Sequence, residues 1–496
     1  MKKIFYLLLI INSFLLAQTQ IKNLISLGTE QVYNLEFDSA EKTFNRVLEL
    51  RPNSPLAYYH LARIHFWIYL GSRDPGEYQI FLKFADLAQE KVDNALDKNS
   101  KDYQTKYLAG NLASFRAMAQ ATNNSSVDAF WSSKKAVSYF EETLELNPKF
   151  YDAYLGLGLF DYAMSFVPDF LKWAVSLTGL KSDKERGFRY IKTALKRGNE
   201  KTEAAFHLAK IYTDYLAEYD SAFALLQNLC SRYPNNTLFI YQYGVSLIKD
   251  KQLDRANIIL DRVIKLRNKK LPQITALAYY RKGEIQFKKN QFLSAIRNYE
   301  KFLDTSKELD FTGIAALNNA LCNKFTGKLD EYNAFLQQAK GGNQDIFEDS
   351  YAKHRSEKFL SSSITNLSQK LIRMKNNLDA GKYKIVYDSL WNEADKLEES
   401  EEKAIALLYL SDAELNLHKY TDAITSADKV LKIDLSSEKY LEPSALLNKA
   451  RAEFYLGHKE KAKEYLKEAD ENNDYDFKDY IQSQIEWLKR RLSGKN

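Results

Sequence analysis

Histidine is the side chain best suited to metal binding and to acid–base chemistry near neutral pH, and this chain of 496 residues has six. His60 and His65 are the closest pair, but five residues correspond to about 500° of helical rotation, so they share no face. No His-Glu-x-x-His motif, no Cys-x-x-Cys motif and no calcium-binding carboxylate loop occurs in the sequence. The sequence therefore predicts no metal site.

Glycines arranged to hold a phosphate are missing as well. Gly156 and Gly158 form a Gly-x-Gly fragment, but it lies in the apolar helical segment Tyr154–Phe160 with no strand before it. A dinucleotide site needs a strand, a tight turn and a helix N-terminus in that order. No Gly-x-Ser-x-Gly nucleophile turn occurs either. The sequence predicts no catalytic residue and no cofactor.

The charges argue against nucleic acid as a partner. The formal net charge is +6, of which Lys2 and Lys3 contribute two. Lys and Glu alternate along the chain and do not gather into a basic stripe, which a nucleic-acid interface would need.

The N-terminus has the pattern of an export signal. Lys2 and Lys3 precede the apolar run Ile4–Leu16, which is followed by Ala17 and a polar switch. A basic start, a short apolar segment and a small residue are typical of a secretory signal peptide. We expect residues 1–17 to be removed after Ala17 and the protein to be periplasmic or secreted; a retained anchor is the alternative.

The elements are predicted to be helices. Only 18 Gly and 8 Pro punctuate the chain, whereas sheets need frequent turns. Large apolar residues recur at intervals of three and four, as on one face of a helix. Hydrophobic residues make up 45% of the chain, which is typical of a folded protein. The fold class predicted is all-α.

One pattern recurs through most of the chain with a repeat length of about 34 residues. Its clearest copy runs from Ala276 to about Leu309. Its first helix carries Tyr279 and Gly283, and its second helix carries Ala295, Tyr299 and Phe302. Weaker copies begin near Leu24 and near Leu446. The pattern resembles the tetratricopeptide repeat (TPR) family, and the N-terminus makes the chain similar to an exported bacterial member.

The resemblance implies an α-solenoid, a right-handed superhelix of about ten TPR-like helical hairpins, because single hairpins cannot bury their apolar faces alone. It also implies a groove for a protein or peptide partner, lined by first-helix residues. The candidate groove residues are Tyr241, Gln242, Val245, Tyr280, Arg281, Glu284 and Phe287. In the best-known TPR groove, Lys, Asn and Arg side chains clamp the terminal carboxylate of a partner. The candidate residues here differ from that set, since only Arg281 is basic.

Changes in regularity suggest domain boundaries. We expect an N-terminal solenoid over 18–340, an irregular helical linker over 341–403, and C-terminal repeats with a capping helix over 404–496. Gly341 and Gly342 would end a helix at the first boundary.

An apolar insert interrupts the repeats at about 164–186. Phe170, Leu171, Trp173, Val175 and Leu177 would leave a large apolar surface in water unless something covers it. We expect residues 166–180 to fold back against the preceding repeat. Membrane contact through 166–180, which the few cationic residues disfavour, and contact with a partner are the alternatives.

Three functions follow from this pattern. The first is a non-catalytic, protein- or peptide-binding scaffold in the bacterial cell envelope. The second is a nutrient- or glycan-binding helical protein associated with the outer membrane, which the missing lipidation cysteine disfavours. The third is an enzyme with an unrecognised site in 341–403, which no motif in the sequence supports.

Overall fold

The structure is a computed structural model that describes residues 2–164, 183–307, 310–434, 438–471, 475 and 478–494, without the side chains of 1–17, 163, 479 and 480. The predicted docking or membrane contact of segment 166–180 lies outside the described residues and stays a prediction. All regular elements in the described ranges are helical, which confirms the all-α fold class.

The helices follow one another with short connections. They are α1 Lys2–Tyr33, α2 Phe37–Leu50, α3 Pro55–Ser72, α4 Pro75–Lys98, α5 Tyr103–Thr122, α6 Ser126–Leu146, α7 Ala153–Met164, α8 Lys184–Arg197, α9 Lys201–Asp214, α10 Tyr219–Arg232, α11 Thr237–Lys249, α12 Leu253–Leu266, α13 Pro272–Lys288, α14 Phe292–Thr305, α15 Thr312–Phe325, α16 Leu329–Ala339, α17 Phe347–Ser361, α18 Asn366–Asp379, α19 Tyr383–Leu390, α20 Glu401–Asn416, α21 Tyr420–Val430, α22 Leu441–Tyr455, α23 Lys459–Glu471 and α24 Lys478–Leu492, with a 3₁₀ turn at Ala394–Lys396.

Several helices begin where a short polar side chain satisfies the first backbone N–H groups. Ser54 accepts a hydrogen bond from the backbone N–H of Ala57 at 3.3 Å, and Pro55 occupies the first helical position of α3. Asp102 does the same for α5. These caps are the expected start signals, since the first N–H groups have no partner inside the helix.

The turns between paired helices repeat one geometry. Lys251, Asn290, Gly327 and His418 all have positive φ. Around Asn290, the N–H of Gln291 reaches back to the carbonyl of Gln286 at 2.9 Å, and equivalent bonds occur at the other turns. This six-to-one bond is the usual end of a helix that reverses into a hairpin. The repeated turn therefore divides the chain into successive helical hairpins.

Within a hairpin, a small residue on the first helix faces a ring on the second. A Cβ added at Gly283 would lie 2.6 Å from the Tyr299 ring, and one at Gly28 would lie 2.5 Å from Phe44. Ala295 has no exposed surface. The register predicted for the clearest repeat is therefore the one observed, because only small side chains let the two backbones approach closely.

The chain divides into two compact units. Unit 1 comprises Met1–Ala209, Leu225–Phe239 and Arg267–Gln273, and unit 2 comprises Lys210–Ala224, Ile240–Leu266 and Ile274–Asn496. In each unit consecutive hairpins bury their apolar faces against the next, as α3–α4 and α5 do in unit 1 and α20–α21 and α22 do in unit 2. This stacking defines an α-solenoid.

The sequence-based boundaries at 340 and 404 stay a prediction. The region 341–403 contains helices α17, α18 and α19. Asp349 of α17 is fully buried and accepts hydrogen bonds from the N–H groups of Ile314 at 2.9 Å and Asn343 at 3.0 Å. Among the described helices, none combines the length and apolar character needed to cross a bilayer.

Candidate partner-binding face

The seven residues predicted to line a groove all lie in unit 2. Tyr241, Gln242 and Val245 lie on α11, and the other four lie on α13. The structure brings three of them together around one guanidinium. Arg281 donates from Nε to the Tyr241 hydroxyl at 3.4 Å and from Nη1 to Glu284 at 2.8 Å. These three side chains form a polar cluster on neighbouring first helices.

Tyr280 and Phe287 occupy a different environment, in the apolar core of unit 2. Tyr280 is 4% exposed, and its ring lies 5.3 Å from Phe302 and 5.2 Å from Phe311, between ring centroids. Phe287 lies 6.1 Å from Phe292. Both rings stabilise the stacking of hairpins, so a direct contact of either with a partner stays a prediction.

Val245 and Gln242 are buried as well, but Gln242 differs in chemistry. Its side-chain Nε2 is buried and has no hydrogen-bond partner among the described residues. Buried amide groups are normally hydrogen-bonded, because a buried donor without an acceptor costs free energy. Gln242 therefore carries a buried donor without an acceptor among the described residues.

An acidic residue that sequence analysis missed extends this cluster. Asp214, at the end of α9, lies 3.1 Å from Nζ of Lys249 and 3.7 Å from Nζ of Lys210. Burial alone would raise the pKa of Asp214, but Lys249 and Lys210 hold it below its ordinary value. The carboxylate therefore stays ionised at neutral pH.

A second group of charges continues the cluster from α13 to α18. Nζ of Lys288 lies 2.6 Å from Oε1 of Glu284. The charge of Lys288 also lowers the pKa of Asp379, whose Oδ1 lies 2.5 Å from Nζ of Lys375. Burial opposes ionisation of Glu284, but Lys288 and Arg281 lower its pKa to about 2. These residues come from segments about ninety residues apart, so no local motif could have revealed them.

Together these side chains form what we call the unit 2 face. Six cations act on its three carboxylates, Asp214, Glu284 and Asp379. Several of the cations remain accessible, since the side chains of Lys249 and Lys375 are 40% and 48% exposed. The cations of the unit 2 face are Lys210, Lys249, Lys251, Arg281, Lys288 and Lys375.

Unit 1 has a polar cluster of opposite character on its own first helices, here called the unit 1 interior. Arg63 of α3 pairs with Glu203 of α9, and its guanidinium lies 4.9 Å from the centroid of the Tyr33 ring. Both partners of the ion pair are largely buried, with side chains 5% and 17% exposed. The buried pair joins two residues that lie 140 positions apart in the sequence.

Glu200 completes the unit 1 interior. Its carboxyl accepts a hydrogen bond from the Tyr107 hydroxyl, which also contacts Asn111. Asp152 fixes the backbone by accepting from the N–H of Glu200 at 3.0 Å. Burial first, and then the nearby Glu203 charge, raise the pKa of Glu200 to about 7. Tyr59 also contacts Asn111.

A cavity of about 40 Å³ adjoins Arg63 and Glu203 in unit 1. Its other walls are mainly apolar and include Phe37, Phe206 and Leu271. This volume holds at most a few water molecules. In the ranges that the structure describes, no group of three or more His, Cys, Asp or Glu side chains is placed to hold a metal ion.

Family models match three parts of the chain. A model described as Iml2/Tetratricopeptide repeat protein 39 covers residues 77–310, and two models described as Tetratricopeptide repeat cover 25–66 and 443–475. The chain contains tetratricopeptide repeats. The matched TPR segments include the clearest repeat near Ala276 and the weaker ones near Leu24 and Leu446, as the sequence pattern predicted.

One curated relative is a TPR repeat-containing protein, MJ1428, of Methanocaldococcus jannaschii. It is 24% identical over 303 residues, which make up 58% of this chain and 51% of the relative. The chain thus spans about half the length of the relative that it matches.

Solved structures with similar chains include yeast Tom70, with 14% identity, coverage of 96% of this chain and 97% of that chain, and a TM-score of 0.28. A human IFIT1 dimer with PPP-AAAA shows 13% identity, coverage of 84% and 95%, and a TM-score of 0.37. The Cut9 and Hcn1 hetero-tetramer of the APC/C shows 13% identity, coverage of 94% and 95%, and a TM-score of 0.30.

Proposed function

We propose that this TPR chain is a non-catalytic scaffold that binds a protein or peptide partner along the unit 2 face. TPR arrays are generally protein-interaction scaffolds, and the repeat models support that class of function. The partner segment favoured by this face is acidic. The observation that carries the proposal is the surplus of cations on the unit 2 face, where six cations act on Asp214, Glu284 and Asp379, and one of the six, Lys251, also acts on Asp250.

The charge balance explains the preference for an acidic segment. Asp214, Glu284 and Asp379 each already interact with at least two cations. An arriving carboxylate would therefore meet basic groups whose positive charge is only partly neutralised. Complementary charge increases association rates and selects against basic partners.

A binding titration tests the acidic preference. Fluorescein-labelled oligoglutamate is titrated with the protein and followed by anisotropy, with oligoglutamine of the same length as the neutral probe. We expect only oligoglutamate to bind, and binding should weaken as salt is added because the contact is electrostatic. The double variant Lys249→Glu and Lys288→Glu should abolish it.

Lys463→Glu is the matched control, because Lys463 lies on α23 in an exposed pair with Glu460. This variant changes the net charge in the same direction and should retain at least most of the binding. Equal binding of both probes, or equal loss in the control, would contradict an acidic partner at the unit 2 face.

We also propose that the scaffold lies in the bacterial cell envelope, because residues 1–17 have the pattern of a secretory signal peptide. Fractionation of cells that express the full chain with a C-terminal tag tests this location. We expect the tagged protein in the periplasmic or secreted fraction, with a mature N-terminus at Gln18. Recovery of an uncleaved chain in the cytosolic fraction would contradict export.

A further inference from the structure

Aromatic side chains follow one side of α19. Tyr383, Tyr387 and Trp391 are spaced four residues apart, which places them on the same side of a helix. Trp391 comes directly after α19 and keeps helical backbone angles, with φ −51° and ψ −43°. The rings of Tyr387 and Trp391 lie 6.1 Å apart, between centroids, and their planes differ by 28°. The three side chains therefore form a row along α19.

Lys419 connects this row with the next hairpin. It lies in the turn between α20 and α21, donates from Nζ to the Tyr387 hydroxyl at 3.2 Å, and lies 4.6 Å from the centroid of the Tyr387 ring. Tyr420 follows directly in the sequence, and its ring is stacked on that of Tyr455 at 5.2 Å, between centroids. Tyr455 is the last residue of α22. The row thus continues over three successive hairpins.

We call this surface the aromatic strip, and it belongs entirely to unit 2. It consists of Tyr383, Tyr387, Trp391, Lys419, Tyr420 and Tyr455.

The aromatic strip begins at the unit 2 face. Lys251, one of the six cations of that face, donates from Nζ to the Tyr383 hydroxyl at 2.9 Å and lies 4.8 Å from the centroid of the Tyr383 ring. Asp379, a carboxylate of the same face, comes four residues before Tyr383 in the sequence. A peptide that leaves the unit 2 face at Lys251 therefore meets the rings of the strip next.

The strip is partly held by the core and partly open to solvent. Tyr383, Tyr387 and Tyr420 are partly buried and pack against core clusters of unit 2. Trp391 and Tyr455 are 53% and 45% exposed. Rings that are already held in place lose little conformational freedom on binding, and Tyr and Trp are the side chains that most often dominate the binding energy of an interface. The strip therefore has the properties of a preformed binding surface.

Lys419 adds a positive charge to this surface. Its hydrogen bond goes to the neutral hydroxyl of Tyr387, and no carboxylate among the described residues forms an ion pair with it. Asp422 and Glu414 act on its charge without such a pair. A carboxylate of a bound peptide can therefore pair with Lys419 beside the Tyr387 ring.

We infer that the partner of the unit 2 face carries an apolar segment next to its acidic one, and that this apolar segment lies along the aromatic strip. The ligand class is an extended peptide in which a run of Asp or Glu adjoins a run of Leu, Pro or aromatic residues. Its apolar run covers the exposed rings of Trp391 and Tyr455 and removes them from water. For the acidic run, this inference rests on the proposed function.

The dimensions of α19 set the length of a useful probe. From Tyr383 to Trp391 the helix rises by about 12 Å, which an extended chain covers with about four residues. Two fluorescein-labelled oligoglutamates therefore carry a tail of about four leucines or of as many serines, each made with the tail at either end. Anisotropy titrations with the full chain give their affinities.

We expect the leucine-tailed peptide to bind at least about fivefold more tightly than the serine-tailed one in the better of the two orientations, since loss of a single hot-spot ring changes affinity by at least that factor. Added salt should weaken both peptides because it screens the acidic run. The ratio of the two affinities should persist, because the apolar contact is not screened.

Trp391→Ser removes the most exposed ring of the strip and should bring the two affinities close to each other. Trp131→Ser is the matched control, because Trp131 of α6 is a similarly exposed tryptophan in unit 1 with Lys134 over its ring. This control should keep the ratio of the parent protein. Tyr455→Ser is a second strip variant if circular dichroism shows that Trp391→Ser does not fold.

The outcomes separate this inference from the proposed function. Equal binding of the two peptides would overturn the inference and leave an acidic partner at the unit 2 face standing. Binding of neither peptide would overturn the proposed function and the inference with it. An equal loss of the ratio in Trp131→Ser and Trp391→Ser would overturn the contact with the strip. Displacement of the leucine-tailed peptide by cellohexaose, a neutral oligosaccharide, would assign the rings to a glycan and overturn the inference as well.

Discussion

The unit 1 interior and the unit 2 face are built on the same kind of element, the first helices of successive hairpins, but their charges are balanced in opposite ways. In unit 1 the carboxyls of Glu200 and Glu203 share one guanidinium, and the pKa of Glu200 rises to about 7. In unit 2 the carboxylate of Glu284 has Lys288 and Arg281 beside it, and its pKa falls to about 2.

The repeat therefore determines where side chains are placed but not which charge they carry there. The small residues at the helix crossings, such as Gly28 and Gly283, meet rings in the same way in both units. These positions are constrained by packing, whereas the polar first-helix positions are free to vary. One architecture can therefore combine a closed, acidic interior with an open, cationic face.

The largest expected effect comes from removing the shared guanidinium of unit 1. Arg63→Ala leaves Glu200 and Glu203 together in a buried site without a cation, which should cost about 3–5 kcal/mol of stability. Chemical denaturation followed by circular dichroism measures this loss. Lys463→Ala, which breaks only an exposed pair, should change stability by less than about 1 kcal/mol. An Arg63→Ala loss no larger than that of the control would contradict a structural role for the buried pair.

The packing shared by the two units is tested by one substitution in each. Ala295→Leu in unit 2 and Ala40→Leu in unit 1 both place a large side chain at a fully buried position. Overpacking of this kind typically costs about 1–3 kcal/mol, and we expect similar losses at both sites. Thermal melting compares them. A large loss at one position and none at the other would show that the two crossings are not equivalent.

The opposite pKa shifts predict opposite pH dependence. Glu200 stabilises unit 1 most below its ordinary pKa of 4.5, and this contribution is lost as pH rises through about 7. Glu284 stabilises unit 2 above 4.5, and this contribution is lost as pH falls toward about 2. Each effect should amount to about 1–2 kcal/mol after solvent screening.

Denaturation midpoints measured over a range of pH separate the two contributions. Glu200→Gln should flatten the profile on the alkaline side, and Glu284→Gln should flatten it on the acidic side. If Glu200→Gln flattens the acidic side of the profile, or Glu284→Gln flattens the alkaline side, the contrast between the two units is wrong.

The smallest expected effect is at Lys288, which interacts with both Glu284 and Asp379. Lys288→Met should reduce stability by about 1 kcal/mol or less, because Arg281 and Lys375 still neutralise the two carboxylates. It should also raise the pKa of Glu284, which NMR titration of the side-chain carboxyl detects. An unchanged pKa of Glu284 would show that Lys288 does not interact with the carboxylates of the unit 2 face.

The fold was predictable because its information is local. The positions of Gly283, Ala295 and Tyr299 repeat at a fixed spacing, and each is explained by contacts within one hairpin. The same holds for the helix starts, such as Ser54 followed by Pro55. Patterns of three and four residues specify helices, and small residues specify where two helices cross, before any long-range contact exists.

The role of the seven candidate groove residues in partner binding stays a prediction. The structure brings Tyr241, Arg281 and Glu284 into one polar cluster. Tyr280 and Phe287 are buried in the core, because a one-residue step on a helix turns a side chain by about 100°. Asp214 and Asp379 were missed because they reach the cluster from other hairpins.

Local patterns in the sequence were enough to predict an all-α chain of stacked hairpins, and they include a cationic N-terminal signal pattern. The sequence pattern could not predict that Arg63 pairs with Glu203, that Arg232 pairs with Glu30, or that Lys288 acts on Asp379. The physical reason is the range of the interactions. Helix periodicity and hairpin crossings act over a few tens of residues, whereas burial and charge balance depend on segments that meet only after the hairpins have stacked.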